Sequence, residues 1–475
     1  MKILLINPPV AAEAVWVREG RCQQWDIWGA PFPPFSLAMI STQLMKNGHE
    51  TNIIDSGPEG KGIVQVLNEL KSFAPEIIIL STASPTIESD LAWFLPQAKA
   101  LLPGCAAIAI GIHVTALPKE VLMRYPFLDY VIMGEPEIPA MAIVENLAGK
   151  SEISSAKNIA YRDSSGDPFI APFESFTDDL DALGFPDWGK INFPRYLLPI
   201  VERPFSLIGF SRGCPYSCKF CAAGAYNGKK TRKRSIAGLI QEINFNLDLG
   251  VKDFLFWTEL MTLDDLHLNE FLDALMESGL NKKISWVCNS RVDNVRLSTL
   301  KKMKDSGCWQ IAFGLEFGSD EILSLAGKGG AATLVQARKA VTMASDVGLV
   351  VDGHFIMGYP GETMETLQAT IDFASSLPLT FAHFYAAVPF PGSELYNLAL
   401  ENAWCAPGAW ESFNQDNACI TTQTLHSRTV DEYIAKAYKA FYLRPVIFLR
   451  VLKIPKNIFE FANILKLGWR FLMKH

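Results

Sequence analysis

The first third of the chain alternates short apolar runs with longer amphipathic stretches. The apolar runs have the length and the β-branched content of buried strands, and the stretches between them have helical spacing. The strand candidates are Lys2–Ile6, Thr51–Ile54, Glu76–Leu80, Ala106–Ile110 and Tyr130–Met133, and the helix candidates lie near Phe35–Lys46, Gly62–Phe73, Ile87–Leu101 and Pro136–Leu147. This alternation predicts an α/β fold with a doubly wound, Rossmann-like parallel sheet over residues 1–148.

A second alternation begins at Phe205, after a linker over residues 149–200. The linker has a hairpin-turn pattern at 163–168 and an irregular acidic stretch at 178–188. The strand candidates are Phe205–Phe210, Asp253–Trp257, Ile284–Cys288, Trp309–Gly314, Leu349–Met357 and Phe381–Ala387, with helical patterns between them such as Ile236–Leu249, Leu266–Ser278 and Leu334–Val347. We therefore place a second α/β domain at 201–395 and a small helical C-terminal region at 396–475.

Composition narrows the class of protein. The chain has 475 residues, a net charge of −7 and 49% hydrophobic residues, which suits packed domains rather than disorder. Six of the nine cysteines are scattered, so a reducing cytoplasm fits better than a disulfide framework. No apolar run is long enough to span a bilayer, and Met1-Lys2 leads into a strand pattern rather than a signal peptide. The lack of a basic stripe argues against nucleic acid as a partner.

The long connection over residues 8–34 carries Trp16, Trp25, Trp28 and Phe32. A connection of this length in a compact domain is usually functional or disordered. Its aromatic side chains favour packing over a cavity. Whether that cavity would hold a cofactor, a substrate or the second domain is open.

The remaining three cysteines form the most informative motif of the chain. Cys214, Cys218 and Cys221 are spaced C-x3-C-x2-C, and Gly213 and Pro215 keep the loop out of a regular helix. Thiolates at this spacing can hold one metal centre, and iron–sulfur clusters use thiolate ligands. Three ligands on a four-iron cluster would leave one iron open for chemistry. The alternatives are a zinc site with a distant fourth ligand, or three unrelated core cysteines.

The cysteine loop, with Phe220 at the aromatic position of C-x3-C-x-aromatic-C, resembles the signature of the radical S-adenosylmethionine (SAM) superfamily. The resemblance implies a [4Fe-4S] cluster on Cys214, Cys218 and Cys221 whose open iron binds the amino and carboxylate groups of SAM. An electron from flavodoxin or ferredoxin then cleaves SAM to a 5′-deoxyadenosyl radical. The resemblance to the radical SAM superfamily also implies that the second domain is a partial (β/α)6 barrel.

Polar and glycine residues follow the barrel strands, where the chemistry of βα barrels lies. Glu259 could accept hydrogen bonds from the amino group of SAM, and Arg291 could pair with the carboxylate of SAM. Glu316 could accept hydrogen bonds from the ribose hydroxyls. Gly358 and Gly361 would let the backbone approach adenine, and by resemblance the backbone near Phe220 also contacts it. Relatives often have paired aspartates where this chain has Thr258-Glu259.

The ends of the N-terminal strands resemble the cobalamin-binding domain that precedes many radical SAM modules. The segments that carry the resemblance are Asn-Pro-Pro, Gly-x-His and Gly-Glu. The Asp-x-His-x-x-Gly signature is absent, and Asp55-Ser-Gly57 lacks its histidine, so bound cobalamin should have no histidine on its lower face. The residues implied as contacts are Asn7, Ser81, Thr82, Gly111, His113, Gly134 and Glu135.

The last portion, Phe441 to His475, is apolar and aromatic and contains seven Lys and Arg residues but a single acidic residue, Glu460. A basic amphipathic helix can lie in a membrane interface, in which case the substrate could be a lipid. The alternative is a helical cap that packs its apolar face on the barrel.

Together these patterns indicate a cobalamin-dependent radical SAM enzyme that methylates an unactivated carbon of a small molecule or lipid. The closest alternative keeps the same cofactors but performs ring closure or rearrangement without methyl transfer. A methylthiotransferase would need three more N-terminal cysteines, where only Cys22 and Cys105 exist. A non-catalytic cobalamin sensor would need no SAM site. The sequence does not specify the substrate.

Overall fold

The fold is taken from a computed structural model, which describes residues 1–11, 15–18, 23–24, 31–174, 176–199, 201–330, 332–454, 457–464 and 466. Cys22, Trp25 and Trp28 lie outside the described residues. Within them no helix is long and apolar enough to cross a membrane.

The described residues of the N-terminal half form nine strands and seven α-helices. The strands are β1 (Lys2–Asn7), β2 (Trp16–Val17), β3 (Gln23–Gln24), β4 (Glu50–Asp55), β5 (Ile77–Ser81), β6 (Ala106–Ile110), β7 (Tyr130–Ile132), β8 (Ile159–Arg162) and β9 (Pro168–Ile170). The helices are α1 (Phe35–Lys46), α2 (Ser56–Glu59), α3 (Ile63–Phe73), α4 (Leu95–Leu101), α5 (Ile112–Ala116), α6 (Pro118–Arg124) and α7 (Glu137–Leu147).

Seven of these strands form one sheet in the order β4-β1-β5-β6-β7-β8-β9. The strands from β4 to β7 are parallel, as predicted, and their order reverses between β1 and β5. In doubly wound sheets ligands bind outside the carboxyl ends of the strands at this reversal. Asn7 and Ser81 end these two strands.

The hairpin predicted at 163–168 forms, and its strands β8 and β9 extend the same sheet in antiparallel fashion. The sheet therefore runs past residue 148, to Ile170. The helix predicted at Ile87–Leu101 begins as a π-helix over Glu88–Phe94 and continues as α4. Pro96 has no N–H to donate, so regular α-helical bonding is interrupted there.

In the second half, the part of the chain that the structure describes forms eight strands and ten α-helices. The strands are β10 (Phe205–Gly209), β11 (Ser211–Arg212), β12 (Arg232–Lys233), β13 (Asp253–Trp257), β14 (Ser285–Ser290), β15 (Cys308–Glu316), β16 (Val350–Met357) and β17 (Phe381–Ala386). The helices are α8 (Ala223–Asn227), α9 (Ile236–Asp248), α10 (Asp265–Glu277), α11 (Leu297–Asp305), α12 (Asp320–Leu325), α13 (Leu334–Asp346), α14 (Met364–Ser376), α15 (Glu394–Glu401), α16 (Ser427–Tyr442) and α17 (Pro445–Val451).

Six strands form a parallel sheet in sequential order, β10-β13-β14-β15-β16-β17, as expected for a partial βα barrel. Helices cover its outer face, where Phe256 packs on Phe271 of α10. Helix α16 lies along β17 at the edge of the sheet. The Tyr442 hydroxyl bonds to the backbone N–H and C=O of Ala382, and the Tyr438 hydroxyl accepts from the N–H of Phe384. These bonds satisfy backbone groups that an open edge would leave exposed.

The connection over residues 8–34 links the two halves. Phe32 lies edge-on to Trp257 and Phe205, with ring centroids 5.7 and 6.0 Å apart. Earlier in the connection, Arg18 forms a buried ion pair with Asp90 at 2.5 Å. The described part of this connection therefore packs on the second domain through Phe32, which is one of the possibilities that the sequence left open.

Candidate active site

The cysteine loop lies between β11 and α8, beyond the carboxyl end of β10. Gly213 has φ +92°, and a Cβ there would come within 2.2 Å of the Lys230 carbonyl oxygen, so only glycine fits. Cys221 N–H donates to the Cys218 carbonyl at 3.1 Å, which turns the loop back on itself. Cys214 and Cys218 are half-buried and Cys221 is exposed. The loop thus lies at one rim of the barrel, and Cys214 and Cys218 are close enough for the charge of one to act on the other.

Two cations lie close to Cys218. Arg291 Nη1 is 3.6 Å from its sulfur, and the positive charge of Lys328 also acts on it. Burial raises the pKa of the Cys218 thiol, whereas Lys328 and Arg291 act in the opposite direction. Positive charge beside a thiolate suits the anionic cluster that three cysteine thiolates would hold.

Arg291 is already held in place by the protein. Its guanidinium donates to both oxygens of Asp293, at 2.9 and 3.0 Å, and its Cζ lies 3.8 Å from the ring centroid of Tyr216. The Tyr216 hydroxyl in turn accepts from Asn294 at 2.8 Å. A SAM carboxylate at Arg291 would therefore share the guanidinium with Asp293.

Glu316 ends β15 at an irregularity in the strand, with φ +63°. Lys328 Nζ donates to its carboxylate at 2.5 Å and to the Gly314 carbonyl at 2.7 Å. Both side chains are largely buried. Lys328 therefore determines which oxygen of Glu316 is open to a further donor.

Glu259 fits an amino-group ligand. Its Oε1 accepts from Asn227, but its buried Oε2 has no hydrogen-bond partner among the described residues. Burial raises the pKa of this carboxyl, and the bond from Asn227 only partly offsets the effect. A buried carboxylate oxygen without a donor is costly unless a ligand supplies one, as the ammonium group of SAM would.

The loop after β16 forms a tight turn. Gly358 and Gly361 have φ +86° and +95°. The backbone N–H groups of Gly358 and Tyr359 both donate to Glu362 Oε2, at 2.8 and 2.9 Å. The Tyr359 ring packs beside Phe220, with centroids 6.5 Å apart, so this turn adjoins the cysteine loop.

The carboxyl edge of the N-terminal sheet carries several unpartnered polar atoms. Asn7 Oδ1, Ser56 Oγ and His113 Nε2 are buried and have no hydrogen-bond partner among the described residues. Asn7 Nδ2 donates to Asp55 at 3.0 Å. Unsatisfied atoms at this edge fit the amide-rich rim of a corrin, which could supply the missing bonds.

Gly111 brings two of these strand ends together. It has φ +129°, and a Cβ there would lie 2.1 Å from the carbonyl oxygen of Thr82. Thr82 and Ser81 are both buried beside it. Next to Gly111, His113 bonds through Nδ1 to Ser84 at 2.9 Å and lies edge-on under Trp410, 4.6 Å between ring centroids. Burial lowers the pKa of His113 to about 3, so the ring is neutral.

Gly134 and Glu135 contact the second domain. A Cβ on Gly134 would lie 2.4 Å from the Phe176 ring and 3.2 Å from the Tyr226 carbonyl oxygen. The Glu135 carboxylate accepts hydrogen bonds from both Nη atoms of Arg232. The same carboxylate lies 3.2 Å from Nη1 of Arg212. Glu135 is therefore occupied by an ion cluster between the domains.

The structure brings the two predicted sites side by side. Helix α5, which contains His113, packs against α8, which begins two residues after Cys221. A Cβ on Gly392 would contact Ala116 of α5 and Ala225 of α8, at 3.3 and 3.2 Å. The carboxyl edge of the N-terminal sheet and the cysteine loop thus border one region between the domains.

Sequence reasoning missed several residues of this region. Lys328 lies in a loop with no motif, and only its position after β15 could have suggested it. Trp410 comes from the C-terminal region, where no motif points to a cofactor contact. The arginines that pair with Glu135 flank the cysteine loop, yet nothing in their spacing indicates a partner in the other domain.

Two family models match the chain. The Radical SAM superfamily model matches residues 208–374, and the B12 binding domain model matches residues 28–144. An uncharacterised methyltransferase of Pyrococcus horikoshii is 29% identical over 100% of this chain and 98% of its own length. The anaerobic magnesium-protoporphyrin IX monomethyl ester cyclase of Cereibacter sphaeroides is 23% identical over 88% of this chain and 68% of its own.

A solved structure supports the same fold. The radical S-adenosylmethionine methyltransferase TsrM from Kitasatospora setae, with cobalamin and a [4Fe-4S] cluster bound, superposes with a TM-score of 0.69 at 16% identity, over 86% of this chain and 76% of that one. The chain therefore carries a B12-binding domain followed by a radical SAM domain.

Proposed function

We propose that this protein is a methyltransferase that uses cobalamin and radical SAM chemistry to methylate an unactivated carbon of a small molecule. The observation that carries the proposal is the packing of α5 against α8. Two half-sites that meet this closely let one substrate face both cofactors. Methyltransferases among the similar proteins support it.

In this proposal the cofactors supply the reductive cleavage of SAM and the methyl transfer, and the chain positions the reactants. Cys214, Cys218 and Cys221 hold the cluster, and Arg291 and Lys328 offset its negative charge. Glu259 accepts from the amino group of SAM. Phe220 and the Gly358–Gly361 turn border adenine.

Glu316, oriented by Lys328, binds the ribose hydroxyls. The half-site on the N-terminal sheet uses Asn7, Ser81, Thr82, Gly111 and His113 to border the corrin. Because His113 is held by Ser84 under Trp410, its ring serves as a wall of the site rather than as a ligand to cobalt.

The test uses protein reconstituted with iron, sulfide and cobalamin under anaerobic conditions. With SAM and a reductant, the wild type should form 5′-deoxyadenosine, and Cys218→Ala should not. Cys308→Ala is the matched control, because Cys308 is buried on β15 away from the loop. A wild type without product, or an active Cys218→Ala, would contradict the proposal.

The second candidate is ring closure or rearrangement without methyl transfer. The similarity to a cyclase favours it. SAM with a deuterated methyl group separates the two functions, since only a methyltransferase places the label in its product.

The electron donor in this proposal is flavodoxin or ferredoxin. Reduction by a purified flavodoxin system, compared with dithionite, would test it. We also propose a cytoplasmic location, because the described cysteines form no disulfide and the cluster needs a reducing environment.

We further propose that the C-terminal surface can contact a membrane. Large exposed apolar side chains are concentrated there: Leu443, Val446, Phe448, Leu449, Ile458, Phe459 and Phe461. Lys and Arg exceed acidic residues in the same segment, which favours anionic lipid. Sedimentation with vesicles should retain the wild type and lose Phe448→Ser/Phe459→Ser. Equal binding by both proteins, or no binding by the wild type, would refute this contact.

A further inference from the structure

Tyr216 is a residue of the cysteine loop to which no motif gives a role. It is one of the three residues between Cys214 and Cys218. Its ring lies against the guanidinium of Arg291, with the Arg291 Cζ 3.8 Å from the ring centroid. The tyrosine hydroxyl accepts a hydrogen bond from Asn294 Nδ2 at 2.8 Å, which fixes the ring at its other end. A cation this close to an aromatic face is attracted to it, and more strongly where water is excluded.

Every nitrogen of the Arg291 guanidinium contacts another described group. Nε donates to Asp293 Oδ1 at 3.0 Å, and Nη2 donates to Asp293 Oδ2 at 2.9 Å and to the Lys328 carbonyl oxygen at 3.3 Å. Nη1 lies 3.6 Å from the sulfur of Cys218. The edge formed by Nε and Nη2 thus faces Asp293, and Nη1 is the nitrogen directed at the cysteine loop. Because Nη1 carries two hydrogens, it retains one N–H for a SAM carboxylate.

Arg291 keeps its positive charge although it is buried. Its side chain is 6% exposed and that of Asp293 is 4% exposed. Burial opposes the charged form, but Asp293 outweighs that effect, and the pKa of Arg291 is raised above its ordinary value. A charged N–H donor is therefore held beside the Cys218 sulfur, and charged donors form the stronger hydrogen bonds.

The loop after α12 braces the cysteine loop at two further points. The Lys219 N–H donates to the Ala326 carbonyl oxygen at 3.0 Å. A Cβ on Gly327 would lie 2.9 Å from the Ser217 carbonyl oxygen, so the two backbones are in close contact there. Because the next residue of this loop also accepts a hydrogen bond from Arg291, the loop fixes the arginine and the cysteines relative to each other.

A hydrogen bond to a cluster ligand changes how easily the cluster is reduced. Reduction by flavodoxin or ferredoxin adds one electron to a cluster held by Cys214, Cys218 and Cys221, so the negative charge on the ligand sulfurs grows. An N–H donor at such a sulfur stabilises the reduced form more than the oxidised form. Hydrogen bonds to the sulfurs are among the factors that set the potential of an iron–sulfur cluster. The contact of Arg291 with Cys218 should therefore raise that potential.

We propose that Tyr216 is a positioning residue that holds Arg291 Nη1 against the Cys218 sulfur and thereby raises the reduction potential of the cluster. This proposal rests on the proposed function only in taking the cluster to be bound at the cysteine loop. Tyr216 acts through Arg291 alone. Asp293 supplies the counter-charge of the arginine, and Asn294 fixes the tyrosine ring.

The experiment is a reductive titration of the anaerobically reconstituted protein without SAM, in which electron paramagnetic resonance follows the reduced cluster. Tyr216→Leu removes the aromatic face at unchanged charge. We expect its cluster to be about ten-fold harder to reduce than that of the wild type, which is a shift of about −59 mV for one electron. Tyr216→Phe keeps a ring over Arg291 and should restore most of the potential. The iron content of each sample shows that the cluster is loaded.

Arg291→Met tests the hydrogen bond directly and stays informative if Tyr216→Leu fails to load a cluster. It should lower the potential at least as much as Tyr216→Leu does. In the double variant the loss of Tyr216 should add no further shift, because the tyrosine acts through Arg291. Arg296→Met is the matched control, since the side chain of Arg296 is 71% exposed, and it should leave the potential unchanged.

Three results would overturn the proposal. The first is a potential that is unchanged in Tyr216→Leu or in Arg291→Met. The second is a shift in the double variant that equals the sum of the single shifts, since Tyr216 would then act independently of Arg291. The third is a potential of Tyr216→Phe as low as that of Tyr216→Leu. These results leave methyl transfer untouched, whereas a wild type that takes up no cluster would contradict the proposed function and this proposal together.

Discussion

The ion cluster between the domains makes a prediction that separates a structural role of Glu135 from a role in cofactor binding. Glu135 and Glu137 face Arg212 and Arg232, and the side chain of Glu135 is 6% exposed and that of Arg232 4%. Two carboxylates thus balance two guanidinium groups. Glu135→Gln would leave one carboxylate for two buried cations.

Breaking a buried pair by removing one partner costs about 3–5 kcal/mol. The glutamine oxygen can still accept one hydrogen bond from Arg232, so we expect the lower end, a loss of about 3 kcal/mol in the free energy of unfolding. Urea unfolding without added cofactor measures it. Tryptophan fluorescence and circular dichroism must give coincident transitions for the value to be meaningful.

The matched control is Glu50→Gln. Glu50 is exposed and lies 4.0 Å from Lys2, so its loss should not change stability measurably. A loss below about 1 kcal/mol for Glu135→Gln would refute the reasoning. If stability were unchanged and only cobalamin binding weakened, Glu135 would instead serve the cofactor, as its place in the Gly-Glu segment implies.

Three further predictions test the local geometry. Burial raises the pKa of Glu362 to about 8, above its unfolded value of 4.5, so the stability it contributes is present at low pH and lost as pH rises toward 8. Glu362→Gln should therefore gain stability relative to the wild type between pH 5.5 and 8, by about 3 kcal/mol in urea unfolding, and a constant difference would contradict this. Gly111→Ala should lower stability by about 2 kcal/mol or more, because its Cβ would overlap a backbone oxygen, whereas Gly104→Ala, with open space around it, should not. Arg291→Lys should slow 5′-deoxyadenosine formation about ten-fold at unchanged iron content, since lysine lacks the planar guanidinium group that can pair with a carboxylate. Arg296→Lys, at the exposed surface, is the control and should not change the rate. Equal rates for Arg291→Lys and the wild type would refute the proposed role of Arg291 in binding SAM.

Much of the fold was predictable because its causes are local. The helix α1 begins and ends at the residues that its apolar spacing predicts, Phe35 and Lys46. The six barrel strands lie where the apolar runs indicate, within about two residues at either end. Periodicity depends on neighbours along the chain, so one sequence suffices to read it. The extension of the first sheet by β8 and β9 was not predicted, since strand pairing depends on distant residues.

The candidate site divides in the same way. Cys214, Cys218 and Cys221 were identifiable because all three ligands lie in one loop, where their spacing alone limits what they can bind. The partners of Glu135 were not, because Arg232 reaches it from another domain. The stacking of His354 on His383 was equally hidden, since it depends on the register of β16 and β17.

The sequence by itself therefore determined the two domains, the cysteine loop and the kind of chemistry they imply. Only the tertiary structure decided that the two half-sites adjoin through α5 and α8, that Lys328 lies beside Cys218, and that His354 stacks on His383 across β16 and β17. Short-range patterns specify secondary structure and local ligand sets. Contacts between residues far apart in the chain follow from strand register and domain packing, which no local pattern encodes.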